Sequence, residues 1–492
     1  MVMQTGWLGA MRRPMERPDP AGRASDGLTA FAVMWAIALI FSVVSHYDNL
    51  ILGNGIRIAV LEYAVLASSI ALILNPRRLG LLLLLAVAMA LQYGFRLPVA
   101  SNNQTIAFFM NAAIVTVIGV AWMQHRGSAG VRDEIYERLR IVARFLLAIM
   151  YFYGIFHKIN VDFLDPEASC AVALYKPLTQ TFGLADNIVG RYGSIASTFV
   201  VETITLVCLF WRRFFWVGLI VGLVFHYIIP ISAYSWYMDF SSLVFALYTL
   251  SVPREVSAAF QGRAARVLRR VPFNSAARVA IVAFALLFVA AMVLATQLRG
   301  RAGDLVITDM MAWHSSWIVM WAVVGGAAMV FLTWAAVDAL PYRPQPGPRI
   351  PWWVYLFPAT LFVTCLSPYL GLKTESSIAM FSNLHTEGGT TNHLVLSRSL
   401  YVAEYQRHVA TIEASSNPGM QDNADRHLGI VRFDLERWMQ LHPRDWVTFT
   451  MDGVRYDRAT AAAFPMSERN LLERKLLVFK PVDVARPKRC TH

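Results

Sequence analysis

Apolar stretches of about twenty residues recur along the chain, each ended by a few polar or basic positions, and stretches of that length cross a ~30 Å hydrocarbon core as helices. The pattern predicts eleven membrane helices, at 28–47, 57–75, 79–95, 104–123, 142–160, 193–211, 214–232, 235–251, 278–297, 316–338 and 352–370. An odd number of crossings puts the termini on opposite sides. Residues 1–27 read as a disordered cytoplasmic tail. The first apolar run has no small-residue cleavage pattern, so it reads as a retained helix, not a secretory signal. From 371 the pattern changes: 371–492 holds 16 basic and 14 acidic residues and no membrane run. Alternating β-formers in "DWVTFTMDGVRYDR" around Asp452-Gly453 predict a hairpin. "DRHLGIVRFDLERWMQLH" fits an amphipathic helix. "NLLERKLLVFKPV" is a short helix running into a strand, or a strand throughout. The fold class is therefore an all-α polytopic membrane bundle over 28–370 with a small extracytoplasmic α+β domain, or cap, over 371–492.

Composition agrees with the pattern. The chain is 56% hydrophobic and 15% charged, too little charge to cover a soluble surface. The net charge of +12 does not imply nucleic acid, because the arginines sit in short loops where they orient helices. One set of loops carries 21 basic residues and the opposite set 7. That bias places the N-terminus in the cytoplasm, and Lys158, the loop after it and the C-terminal domain outside. The alanine- and arginine-rich composition points to a bacterium, hence to a multi-pass protein of the inner (cell) membrane. The lipid bilayer is the first partner.

Four cysteines do not make a disulfide framework. Cys208 and Cys365 fall inside helices as core residues. Cys170 and Cys490 both fall on the oxidising side, where they either bridge or remain free thiols.

Ionisable groups within spans are costly and usually face the bundle interior or a wet cavity. Glu62, Glu202, His226 and Asp239 are such groups, and His46 and Asp48 close the first helix. The stretch "YFYGIFHKIN" ends a run with His157 and Lys158. Lys158 is either an anchor with its ammonium in the interface, or a base in an apolar pocket. Tyr151, Gly154 and Lys158 share a helix face, and Gly154 lets a helix or a flat ligand approach. His157 points elsewhere. Glu202 is a structural partner, a counter-charge or a proton relay; His226 is a bundle histidine or a catalytic one. "TEGGTTNH" is a polar turn, or a loop over the cavity mouth offering His385, Glu387, Asn392 and His393. No HExxH, CxxC, EF-hand or P-loop pattern occurs, so no metal site is argued.

"YFYGIFHKIN" resembles the lysine-bearing helix of vitamin K-dependent gamma-carboxylases, which belong to the horizontally transferred transmembrane (HTTM) group. "NVDFLDPEASCAVALY", "FHYIIPISAYSWYMDFSSLVFALY" and "MFSNLHTEGGTTNHLVL" are similar to bacterial members of that group. The resemblance runs from about 28 to 400 and rests most on the lysine segment and "SNLHTEGG". It implies that Lys158 is the base that deprotonates reduced vitamin K or another quinol. The anion reacts with oxygen, a strong base forms, a protein glutamate is carboxylated, and quinone epoxide is released. His157, Glu202 and His226 stand beside Lys158 as catalytic candidates, and Tyr151 and Gly154 as cofactor-binding ones. The resemblance departs at His157, where the animal enzyme has another basic residue, and in the shorter tail. Because the group includes members tied to maturation of a secreted peptide, the alternative is a non-enzymatic factor for a secreted protein or peptide partner. A transporter is less well matched: symmetric broken helices are expected there, and Pro230 is the clear breaker within a span.

Overall fold

The computed structural model describes residues 27–50, 55–124, 130–183, 185–231, 237–268, 306–342 and 349–491. The helices in chain order are α1 (Gly27–Ser45), α2 (Tyr47–Leu50), α3 (Ile56–Leu74), α4 (Leu79–Arg96), α5 (Asn102–Gln124), α6 (Val131–Phe156), α7 (Val161–Leu164), α8 (Cys170–Phe182), α9 (Ile188–Phe210), α10 (Phe215–Ile231), α11 (Met238–Ser251), α12 (Arg254–Leu268), α13 (Val306–Asp338) and α14 (Leu356–Cys365). Among the described residues, eight helices are long and apolar enough to cross a membrane, or nine if the bent pair α11–α12 counts as one span. The chain is a multi-pass helical membrane protein by this measure. Apolar side chains also face outward, including Val200, Val207, Val319 and Val323, as a bilayer-embedded surface requires.

Three of the eleven expected spans are not confirmed among the described residues. The run at 278–297 lies outside the described residues. The run at 235–251 yields only the 14-residue α11, about 21 Å long at 1.5 Å per residue. Pro253 ends it by pushing Val252 into extended backbone (ψ 152°), and α12 leaves at 112°. The run at 352–370 breaks into two 3-10 turns flanking the ten-residue α14.

Short α11 is buried along its whole length. It packs against α1, which is apolar on nearly every side and so occupies the middle of the bundle. Trp35 of α1 is fully buried and donates its indole N–H to Asn111 of α5 at 3.0 Å. Near its N-terminus α6 carries buried Glu137, which accepts from Arg140 and Arg254 at 2.7 and 2.6 Å. Its far end, about 30 Å away, carries the segment Tyr151 to Lys158.

The C-terminal region is a five-stranded antiparallel sheet, order β4-β3-β1-β2-β5, from β1 (Val409–Ser415), β2 (Leu428–Val431), β3 (Val447–Met451), β4 (Val454–Ala459) and β5 (Val482–Asp483). The Asp452-Gly453 hairpin joins β3 to β4, both turn residues having positive φ. "DRHLGIVRFDLERWMQLH" divides into β2 and the helix α16 (Arg432–Leu441), α15 being Pro418–Asp425. "NLLERKL" forms a short helix, α17 (Leu471–Leu476), closed by a capping box between Asn470 and Glu473.

The segment joining bundle to sheet is tied to both. Asn383 accepts from the Cys170 N–H at 2.7 Å and donates to the carbonyls of Ala168 and Lys488 at 2.9 and 3.0 Å. Cys170, the first residue of α8, is bridged to Cys490, with Cα atoms 4.9 Å apart. Cys208 and Cys365 are free and buried.

Candidate functional site

Helix α6 ends at Phe156, and Lys158 sits in the turn beyond it, still hydrogen-bonded to Ile155 O at 3.0 Å. The turn is fixed by Asn160. Its side chain donates to the carbonyls of His157 and Ser382, at 2.8 and 2.6 Å, and accepts from Phe163 N–H to start α7. Helix α9 begins at Asn187, whose side chain caps Gly190 N–H at 2.8 Å, and it carries Glu202 at mid-length. These two elements bring Lys158 Nζ to 2.5 Å from Glu202 Oε1. Both side chains are at least nine-tenths buried. An interfacial anchor keeps its ammonium in water; this one is desolvated and paired.

Gly154 makes the approach of the two helices possible. A Cβ built there meets Glu202 Oε2 at 3.2 Å and Cδ at 3.4 Å. Gly154→Ala should leave stability within about 1 kcal/mol of wild type, since alanine favours the helix by roughly that amount. It should also displace the Glu202 carboxylate by a few tenths of an ångström. Thermal unfolding of the variant beside wild type checks this.

The ion pair forms part of the wall of a cavity of about 490 Å³. Ile106, Met150, Phe163, Ile228 and Phe240 make the wall largely apolar, and Tyr151, Gly154 and His226 also line it. His226 Nε2 lies 3.1 Å from the Tyr151 hydroxyl, which also receives the Tyr248 hydroxyl at 3.1 Å. Two buried polar atoms have no protein partner here: Glu202 Oε2 and His226 Nδ1. Unmet buried polar groups in a cavity wall are what a ligand with matching oxygens would satisfy. The lining therefore suits a largely apolar molecule carrying hydroxyl or carbonyl oxygen.

Five of the sequence candidates meet at this cavity: Lys158, Glu202, His226, Tyr151 and Gly154. His157 does not. It is fully buried, with Nδ1 2.7 Å from the Tyr369 hydroxyl and Nε2 3.1 Å from Ser377 O. It ties the α6 end to the segment above. Glu62 and Asp239 lie in a separate polar network: Glu62 accepts from Asn49 and Gln92, each at 2.8 Å, and Asp239 accepts from Asn103, with His46 4.0 Å away. The Asp48 side chain lies outside the described residues.

The loop does fold back on the bundle, through residues other than those expected. Ile378, Met380 and Phe381 line the cavity, and Ile378 takes a left-handed φ of 60°, costly for a β-branched residue. Ile378 N–H donates to Asn102 Oδ1 at 2.5 Å. His385, Glu387, Asn392 and His393 instead build the loop itself. Asn392 donates to Asp162 at 2.7 Å, and His393 Nε2 is 2.9 Å from Phe156 O.

Glu387 is wholly buried, with Oε2 3.2 Å from His385 Nδ1 and 2.9 Å from its neighbour's N–H. Burial pushes its carboxyl up, but the His385 hydrogen bond and charge outweigh that and bring it down to about 2. A lowered folded value means the contribution is present above the ordinary 4.5 and is lost as pH falls toward about 2. Glu387→Gln should flatten the acid limb of the stability–pH curve in that window. Unfolding midpoints across the acid range check this, and an unchanged limb would remove Glu387 from it.

Ile378, Met380 and Phe381 carry no sequence signal for a cavity. The face of α9 does: Gly190, Gly193, Ser194 and Ser197 recur at helical spacing and all line the cavity. No protein-family model matches this chain, and no curated protein or solved structure does either.

Proposed function

We propose that this chain is a membrane enzyme of the HTTM type, resembling vitamin K-dependent gamma-carboxylase, that deprotonates a quinol in the cavity at the outer face. The observation that carries the reading is the desolvated Lys158–Glu202 pair in the wall of an apolar cavity, with Glu202 Oε2 unmet. As a unit the pair is neutral. Glu202 Oε2 takes the ligand's hydroxyl proton, and the Lys158 ammonium stays to balance the negative charge left on the oxygen. The base of this reading is thus the pair, with Lys158 the charge that makes proton transfer affordable in a dry site. The apolar walls keep water from the reactive oxygen. When bound, a reduced quinone supplies the oxygen chemistry that ends in an epoxide and a base strong enough for carboxylation of a glutamate.

In this reading the N-terminus is cytoplasmic and the cap lies outside the bacterial inner membrane. The basic bias of the loops supports that orientation, and so does the Cys170–Cys490 bridge, which needs an oxidising compartment. A second reading, a non-enzymatic factor that binds a secreted partner, is favoured by the exposed apolar residues Leu394, Val395, Leu400 and Val402 beside the cap.

The test is epoxidation. Membranes holding wild type or Lys158→Ala receive reduced vitamin K or menaquinol with oxygen, and quinone epoxide is read by chromatography. Epoxide that depends on Lys158 is the expected result. Absence of epoxide from well-inserted wild type, across several quinols, overturns the enzymatic reading and leaves the partner-binding one.

A further inference from the structure

Tyr248, Tyr151 and His226 stand in one file from α11 through α6 to α10, with 3.1 Å at each step. The file has a direction. The Tyr248 hydroxyl hydrogen goes to the Tyr151 oxygen. Passing the Tyr151 hydrogen on to His226 Nε2, 3.1 Å away, completes the file with an acceptor for each hydroxyl hydrogen. A ring nitrogen that accepts leaves the proton on the other one. In that assignment His226 carries its hydrogen on Nδ1, the buried atom without a protein partner. The ring is held in place by edge contacts with Phe225 and Phe240, at centroid distances of 5.1 and 5.2 Å.

Two residues of the largely apolar lining thus each carry a buried atom without a protein partner, an acceptor at Glu202 Oε2 and, in this tautomer, a donor at His226 Nδ1. We infer that His226 fixes the ligand's second oxygen: its Nδ1–H donates to an oxygen other than the one whose proton passes to Glu202. Tyr151 and Tyr248 act through it, as positioning residues that hold the tautomer. The ligand class is a fused or single aromatic ring with two oxygens, one of them a hydroxyl. This inference rests on the reading of the cavity as a site for a quinol-like molecule.

Two redox-inert probes test it. One is a methylnaphthol with a methoxy group para to the hydroxyl; the other carries an ethyl group in place of methoxy. They differ by one oxygen and match in shape. Binding to the purified full chain in lipid nanodiscs is followed by tryptophan fluorescence. Wild type should bind the methoxy probe about tenfold more tightly, although ethyl is the more apolar group, because only methoxy meets the buried donor. His226→Leu should abolish that preference. His226→Asn, whose amide nitrogen stands near the Nδ1 position, should restore part of it. Tyr151→Phe should reduce the preference several-fold. Equal binding of the two probes by wild type overturns the inference, and so does a preference that survives His226→Leu. If His226→Leu fails to fold, the wild-type comparison and Tyr151→Phe decide. If neither probe binds wild type, the cavity reading itself falls; if both bind without preference, that reading stands and only the role of His226 is lost.

Discussion

Glu202→Leu is expected to destabilise the folded chain by about 3–5 kcal/mol, the usual cost of leaving one buried charge without its partner. Adding Lys158→Met to it is expected to recover most of that loss. The reason is desolvation. Both side chains are at least nine-tenths buried, so the attraction between them mainly repays the cost of taking two ions out of water. Two apolar residues of similar volume need no such repayment. Catalysis should follow a different pattern. The single variants and the double variant should all lack epoxidation, because each removes the proton acceptor or its balancing cation. Unfolding in lipid nanodiscs, paired with the epoxide assay, gives both halves of the cycle. Recovered stability without recovered activity would mark the pair as retained for chemistry. If the single variants unfold like wild type, the pair is solvated and its assignment as a buried base is wrong.

The second large effect is at Asn160. Asn160→Asp changes almost no volume, yet about 3–5 kcal/mol of stability should be lost at neutral pH. The wild-type amide nitrogen gives hydrogens to two carbonyls, of His157 and Ser382, in a wholly buried site. A carboxylate there faces both oxygens with nothing to donate. Lys158 lies in the same turn, so activity should fall with stability. Lowering the pH should restore part of the stability, because a protonated aspartic acid can give one hydrogen back. A denaturation series across pH reads this directly. Wild-type behaviour of Asn160→Asp would mean that water reaches the turn.

The bundle and several of its site residues were legible because they obey rules that act within one helix. Apolar length marks a span, and an ionisable group inside a span marks a polar interior. Glu202 and His226 stood out on those grounds. Tyr151, Gly154 and Lys158 stood out by sharing one face. What was not legible is the pairing of faces across helices. Nothing local says that Lys158 meets Glu202, while Glu62 turns to Asn49 and Gln92. The start of α6 was hidden too. Its first two turns carry Arg132, Asp133, Glu134, Glu137 and Arg138, and an apolar window passes over charges that pair at the membrane edge. The run at 352–370 misled in the other direction. Its composition suits a span, but its backbone turns as 3-10 helix at both ends. The loop at 378–381 follows no period, because its residues are placed by contacts with the bundle and not by a repeat of their own.

The bond between Cys170 and Cys490 has a topological consequence. It closes the chain into a covalent ring that contains α8 to α17 and the whole sheet, while α1 to α7 form a free arm outside it. A protease that cuts once within the ring leaves a nicked but undivided molecule, and two bands separate on a gel only after reduction. A cut in the arm releases a fragment with or without reductant. Gel mobility before and after reduction therefore reports which side of Cys170 was reached. The Lys158–Glu202 contact joins the arm to the ring, so the proposed chemistry sits where those two topological parts meet.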